Sequence, residues 1–469
     1  MNFSPGDYAI VALYAIAILY IGFYIARRGE SKSSSSVEFI LAGRKLTLPF
    51  FVGSLVATWY GNILGVGEFV YSSGIVAWVC FAFPYYIAAA LFALYISKKI
   101  RENKFKTIPE QIESSYGKKA GWVASIVVLV ITIPAAYLLM LGVMINIFTG
   151  WALWISIIIG AIVSVVYLYT GGFRADILTN AAQFVLMYVG FGALIFFAYL
   201  EFGSPLEILD SLPEKHLELD GGLGWQYVIV WFIIAMQTFV DPTFHQRCAA
   251  AKTPSTARNG ILISVALWMV FDALTLSAGL YAAANFQLDN PLMAFPILSD
   301  AIMPPIWKGI FVTALLATVM STLDSYAFIS AVTIGNDILF PLRNRIKRIR
   351  AYSEKSLTKF GLIITSIFGI LMAIALPSAV DLIFKTASIA VPGLLMPLII
   401  SYNKNVRLTP NQAMAVLVSS SGISAIWTLG FYLNLDMFVS IEAMIPGILL
   451  SVILSMFFIY KNKENGYQY

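Results

Sequence analysis

The fold class this sequence predicts is an all-α protein that crosses a membrane many times, and three observations predict it. Of 469 residues, 59% are hydrophobic and only 12% are charged, against about 25% charged in an ordinary soluble domain. A soluble chain of this size would need far more polar surface to cover its core. The chain also divides into thirteen apolar runs, each near the roughly 20 residues that cross hydrocarbon as a helix. Finally, its basic residues gather in alternate gaps between those runs.

The runs lie at 8–26, 46–72, 75–97, 121–149, 151–170, 176–200, 225–243, 260–285, 305–341, 358–376, 379–402, 410–433 and 437–460. The first is a retained helix rather than a signal peptide, because Asp7 precedes it and Arg27 and Arg28 follow it. With the N-terminus outside and the C-terminus in the cytoplasm, 27 of the 30 Lys and Arg residues fall in inside loops. Arg174 and Arg247 are among them; Lys215, Lys308 and Lys385 are the exceptions. The positive-inside rule therefore supports thirteen spans in a cell membrane, since an error of one would misplace most later loops. The same rule accounts for the net charge of +5, which calls for no nucleic-acid partner. Ser31 to Ser36 read as a flexible connector, and the acidic loop 201–224 as a solvated one.

Chemistry of other kinds is missing from the sequence. Cys80 and Cys248 are far apart and predict no disulfide. There is no HExxH, no Cys/His cluster with metal spacing and no Walker-type loop. No nucleophile–base set is visible, so an enzyme is not expected.

Every backbone group in lipid must be satisfied, so a broken span marks a cavity rather than a lipid face. The second run carries Gly61, Asn62, Gly65, Gly67 and Glu68 in quick succession, which favours unwinding; close helix packing through small residues is the alternative. The seventh run breaks at Gln237 to Pro242, where proline removes a donor and clashes with the preceding turn. The two breaks are five runs apart, an odd number, so the halves that hold them face opposite ways. Broken helices at matching places in inverted halves point to a transporter's midplane site. The predicted layout is one domain over 1–469. A leading helix (8–26) is followed by a first half (46–200), an inverted second half (225–402) and two trailing helices (410–460).

The run at 305–341 carries Thr318, Ser321, Thr322 and Ser325 at i, i+3, i+4 and i+7, one face of a helix. Hard cations prefer oxygen ligands, and such a stripe facing unwound carbonyls would supply them to sodium. The alternative is that the hydroxyls bond back to their own helix or hold neighbours together.

Three stretches together resemble the sodium:solute symporter family: ATWYGNILGVGEF in the second run, GGFRADILTNAAQ from Gly171, and ATVMSTLDS from Ala317. The segment QRCAAAKTPSTARNG from Gln246 also matches a family loop. The resemblance spans nearly the whole chain and implies a LeuT-type 5+5 inverted repeat that binds Na+. By resemblance the shared sodium site maps to Ala57, Tyr60, Thr318, Ser321 and Thr322. Two departures stand out. The chain is about two residues short between Gly61 and Tyr71, and Asn180 replaces the family's aspartate in Thr-Asp-x-x-Gln. Asp176, one turn earlier, and Ser325 remain as candidates for an ion pathway with Asn180.

Glu68, Asp241, Asp272 and Asp324 lie in or beside apolar runs. Four uncompensated charges in lipid would cost on the order of 10 kcal/mol, so they must face a cavity, be paired or be protonated. Lys385 follows Asp381 by one turn and is expected to pair with it. The resemblance puts the pocket among Asn62, Glu68, Trp231, Gln237, Asp241 and Asp272. This set is rich in acid and lacks Arg and Lys, so a neutral or amine-bearing solute is expected; structural hydrogen-bond networks are the alternative. The function expected is sodium-coupled import of a small organic solute by alternating access. A proton-coupled or exchange transporter of the same fold, or a transporter-like sensor or channel, is the alternative. Solute identity and oligomeric state are not legible in the sequence.

Overall fold

The computed structural model describes residues 3–25, 36–375, 379–403, 405–435, 438 and 441–464. Arg27, Arg28, Lys32, Lys404 and all of the polar connector but Ser36 lie outside these, as does the side chain of Asp381. The protein is all-helical, at 84% helix. Ten helices are long and apolar enough to cross a membrane, or eleven when one bent pair counts as a span. Exposed Leu13, Ile16, Ile453 and Met456 leave apolar side chains on the outer surface, where lipid rather than water is the solvent.

The helices divide differently from the apolar runs. Both 151–170 and 176–200 fall in one helical stretch, Leu153–Phe202, interrupted at Gly172 with φ 58° and ψ −148°. The expected loop at Arg174 is thus a turn of almost no length. Glycine is required there, since a Cβ at this positive φ would also lie 2.7 Å from the Phe39 carbonyl oxygen. The second run splits into Leu48–Trp59 and Ile63–Ser73, bent by 57°. The seventh splits into Trp225–Ile234, a 3₁₀ stretch Ala235–Val240 and Pro242–Ala250. Pro242 starts that last helix at its first position, where a missing N–H costs nothing.

Trp307–Val332 lies at the centre and packs most extensively against Leu153–Phe202. Its apolar window, extended to Leu342, is 89% buried, against 22% for both the leading helix and Met444–Asn462. The leading helix is pinned to it by Asp7, whose carboxylate accepts from the backbone N–H of Ile306 and Gly309. The loop 201–224 folds back on the protein: Ile208, Leu212 and His216 are buried, and the His216 carbonyl accepts from Ile75 N–H at 2.9 Å. It is more than a solvated connector.

Candidate ion and substrate site

Leu48–Trp59 stops in the middle of the protein, so its last carbonyls have no partners within the helix. Two of them meet hydroxyls of Trp307–Val332. Ser321 Oγ donates to the Ala57 carbonyl at 2.8 Å, and Thr322 Oγ1 to the Thr58 carbonyl at 2.8 Å. The Thr318 carbonyl also lies 2.8 Å from Ser321 Oγ. All are buried. Five uncharged oxygens therefore gather here, the donor type that a small hard cation takes. The Thr318 hydroxyl does not join them but bonds back to Leu315 O at 2.6 Å. All four hydroxyls of the stripe thus bond back to their own helix or to neighbouring segments, and Ser321 and Thr322 do so at the free carbonyls of the broken helix. Gly61 permits the approach: a Cβ there would lie 2.6 Å from both Thr322 Cβ and Tyr137 Cε1.

One turn further along, Ser325 enters a second cluster. Its hydroxyl donates to Asp176 at 2.7 Å and accepts from Asn180 and Arg247 at 3.1 and 3.0 Å. Arg247 also donates to Thr58 Oγ1 at 2.7 Å and to the Ser54 carbonyl at 3.2 Å, and pairs with Asp176 at 3.5 Å. Both charged side chains are 0% exposed. This corrects the inside-loop reading of Arg247: Pro242–Ala250 carries it into the core. Asp176, the candidate for an ion pathway, is likewise fully buried. The nearby Asp324 accepts from Ser164 and Tyr167, which leaves it off the cavity.

Between the two breaks lies a cavity of about 200 Å³. Of the candidate substrate residues, Asn62, Trp231, Gln237, Asp241 and Asp272 line it, while Glu68 does not. Glu68 sits in Ile63–Ser73, beyond the cavity lining. Asp272 accepts from Tyr60 at 2.9 Å on one oxygen and from Tyr86 on the other. Asp241 caps Pro242–Ala250 through Thr243 N–H at 2.7 Å and accepts from Tyr326 at 3.1 Å. No Lys, Arg or His lines the cavity among the described residues. Lys385, on the helix Ala379–Ser401, lies 3.7 Å from the centre of the Phe431 ring.

The model of the sodium:solute symporter family matches residues 39–402. The chain belongs to the sodium:solute symporter family. Among its relatives are a high-affinity choline transporter of Drosophila melanogaster (22% identical, 78% of this chain, 62% of the relative) and a sodium-coupled monocarboxylate transporter of Xenopus laevis (24%, 76% and 60%). A sodium/pantothenate symporter of Haemophilus influenzae matches at 27% over 49% of this chain and 48% of its own. The chain thus spans under two thirds of the length of these relatives. The family and these relatives are transporters, not enzymes. A Na+-coupled sialic acid symporter in a substrate-bound outward-open state shares the fold at a TM-score of 0.80, with 15% identity and 97% of each chain covered. A manganese transporter of Eremococcus coleocola follows at 0.55, with 14% identity and 93% and 97% coverage.

Within this symporter-family chain, several site residues escape a sequence reading. Tyr60 enters through its side chain, whose hydroxyl holds Asp272, while the carbonyls that meet Ser321 and Thr322 are those of Ala57 and Thr58. Thr58, Ser54 and Tyr86 carry no signal of their own among so many hydroxyl and aromatic residues. Arg247 had one available sign, its place five residues after Pro242 in a helix that could start inside the membrane.

Proposed function

We propose that this protein is a sodium-coupled symporter that carries one small organic solute, neutral or amine-bearing, into the cell by alternating access. The observation that carries this reading is the meeting of Ser321 and Thr322 with the Ala57 and Thr58 carbonyls at a broken helix. A sodium ion would take the oxygens that these two hydrogen bonds now join. The next two residues, Trp59 and Tyr60, line the solute cavity. One short segment thus links ion and solute, so binding of one preorganises the other.

The layout proposed with it has thirteen spans, with the N-terminus outside, the C-terminus in the cytoplasm, and a 5+5 inverted repeat over 46–200 and 225–402. The interruption at Gly172 and the matched breaks at Tyr60 to Asn62 and at Asp241 support it. Rocking of the halves about the cavity would expose it to each side in turn. Inward sodium movement gains about 2.3 kcal/mol per charge at 100 mV, plus its concentration gradient. One sodium per cycle is proposed, because the Arg247 guanidinium already neutralises Asp176, the carboxylate nearest Asn180. The relatives' names span cationic and anionic solutes, so the cavity's charge guides the choice.

The test is thermal stabilisation of the purified protein by a panel of solutes, in sodium and in potassium. Stabilisation by a solute that requires sodium fits the proposal. Stabilisation that ignores sodium and follows pH would favour proton coupling instead.

A further inference from the structure

Resting on the solute cavity proposed above, we infer that this site is built for an organic ammonium ion, with Asp272 as its counter-ion and aromatic rings as its walls. Two observations carry this together.

The first is charge. Asp272 and Asp241 are the carboxylates that line the cavity, and neither has an ion-pair partner among the described residues. Asp241 is committed to the start of Pro242–Ala250, with one oxygen accepting twice from Thr243. Asp272 has a different setting. Two tyrosine hydroxyls fix its two oxygens, Tyr60 from the helix break and Tyr86 from the helix Phe83–Tyr95. A carboxylate has about four lone-pair positions, so each oxygen keeps capacity for a ligand. Asp272 is also only partly buried and lines the cavity.

The second is the wall. Trp59, Trp78, Tyr85, Tyr137 and Trp231 line the same space. Trp59 and Tyr85 meet edge to face at 5.2 Å, and Phe81 and Trp231 at 4.5 Å, so the rings are braced at differing angles. Ring faces attract cations, and cages of such rings are a recurrent solution for alkylated ammonium groups. A carboxylate solute would meet the opposite: negative ring faces, two aspartates and no basic residue.

The volume of about 200 Å³ limits the solute: a cavity of about 150 Å³ holds benzene, so one somewhat larger than benzene fits.

The test uses purified full-length protein and melting temperature as readout, with choline and its uncharged carbon isostere, dimethylbutanol, as probes. The two share shape and hydroxyl and differ in charge. In sodium, choline is expected to bind at least ten-fold more tightly than dimethylbutanol, and propionate not at all. Asp272→Asn is expected to weaken choline at least ten-fold while the stabilisation by sodium alone persists, which shows that the variant is folded. Equal binding of the isostere overturns the inference, as does unchanged choline affinity in Asp272→Asn. Stronger stabilisation by propionate, or a response to sodium but none to choline, overturns it too and leaves the sodium reading standing. A choline response identical in potassium supports the inference and overturns the sodium coupling instead.

Discussion

The hydroxyl of Ser321 donates to the carbonyl of Ala57 at 2.8 Å, joining residues 264 positions apart. Thr322 repeats the contact on Thr58 one residue later. Two consecutive hydroxyls on an unbroken helix therefore read two consecutive carbonyls at the end of a broken one. If this is the sodium site, Ser321→Ala with Thr322→Ala abolishes stabilisation by sodium. The wild type gains about 2.7 kcal/mol at a hundred-fold excess of sodium over Kd. In potassium the double variant loses only about 1 kcal/mol per hydrogen bond. Melting curves in the two salts separate these terms.

Gly61 sits where the broken helix passes Thr322. Gly61→Ala would put a methyl group 2.6 Å from Thr322 Cβ and Tyr137 Cε1. Overpacking of this kind costs about 1–3 kcal/mol, and here it also pushes ion site and cavity apart. Reduced melting temperature with a weakened sodium response is the expected result.

Arg247 and Asp176 form a fully buried pair. Removing one partner leaves an uncompensated charge, at about 3–5 kcal/mol. Asp176→Asn alone is therefore expected to destabilise strongly. The double variant Asp176→Asn, Arg247→Met should recover part of that loss, because no charge is left unpaired. A double-mutant cycle on the melting temperature checks this.

Lys106 pairs with Glu354 and lies 2.8 Å from Asn336 Oδ1, while Thr107 donates to Asp337 at 2.8 Å. This ties the segment after Ser97–Glu102 to the far end of the central helix and to Glu354–Ala375. Hydrogen bonds to charged groups are worth about 1.5–3 kcal/mol. Lys106→Met should lower stability by such an amount. It should also weaken apparent sodium affinity, if sodium binds the conformation that this network holds. Sodium titration of the variant gives both numbers.

Much of the fold was legible because lipid makes strong demands on sequence. Apolar runs, breaks at Gly61 and Pro242, and the hydroxyl stripe at Thr318 to Ser325 each follow from an unmet backbone or solvation need. What escaped depends on tertiary placement. Arg247 reads as a loop residue because charge statistics see its position in the chain and not the helix that carries it inward. Glu68 and Asp272 look alike in sequence, as acids within apolar runs. Only Asp272 meets Tyr60 and Tyr86, from segments over 180 positions away. The aromatic wall could not be foreseen, since 14% of the chain is aromatic and rings face lipid, core and cavity alike.

Sodium coupling through the site at Ser321 and Thr322 is tested most directly by uptake into proteoliposomes. Vesicles filled with potassium buffer are diluted into sodium buffer with a labelled solute found by the stabilisation panel. The expected result is transient accumulation above equilibrium that grows with an inside-negative potential and vanishes in the Ser321→Ala, Thr322→Ala variant. Equal accumulation without sodium under a proton gradient, or wild-type accumulation in that variant, would contradict it.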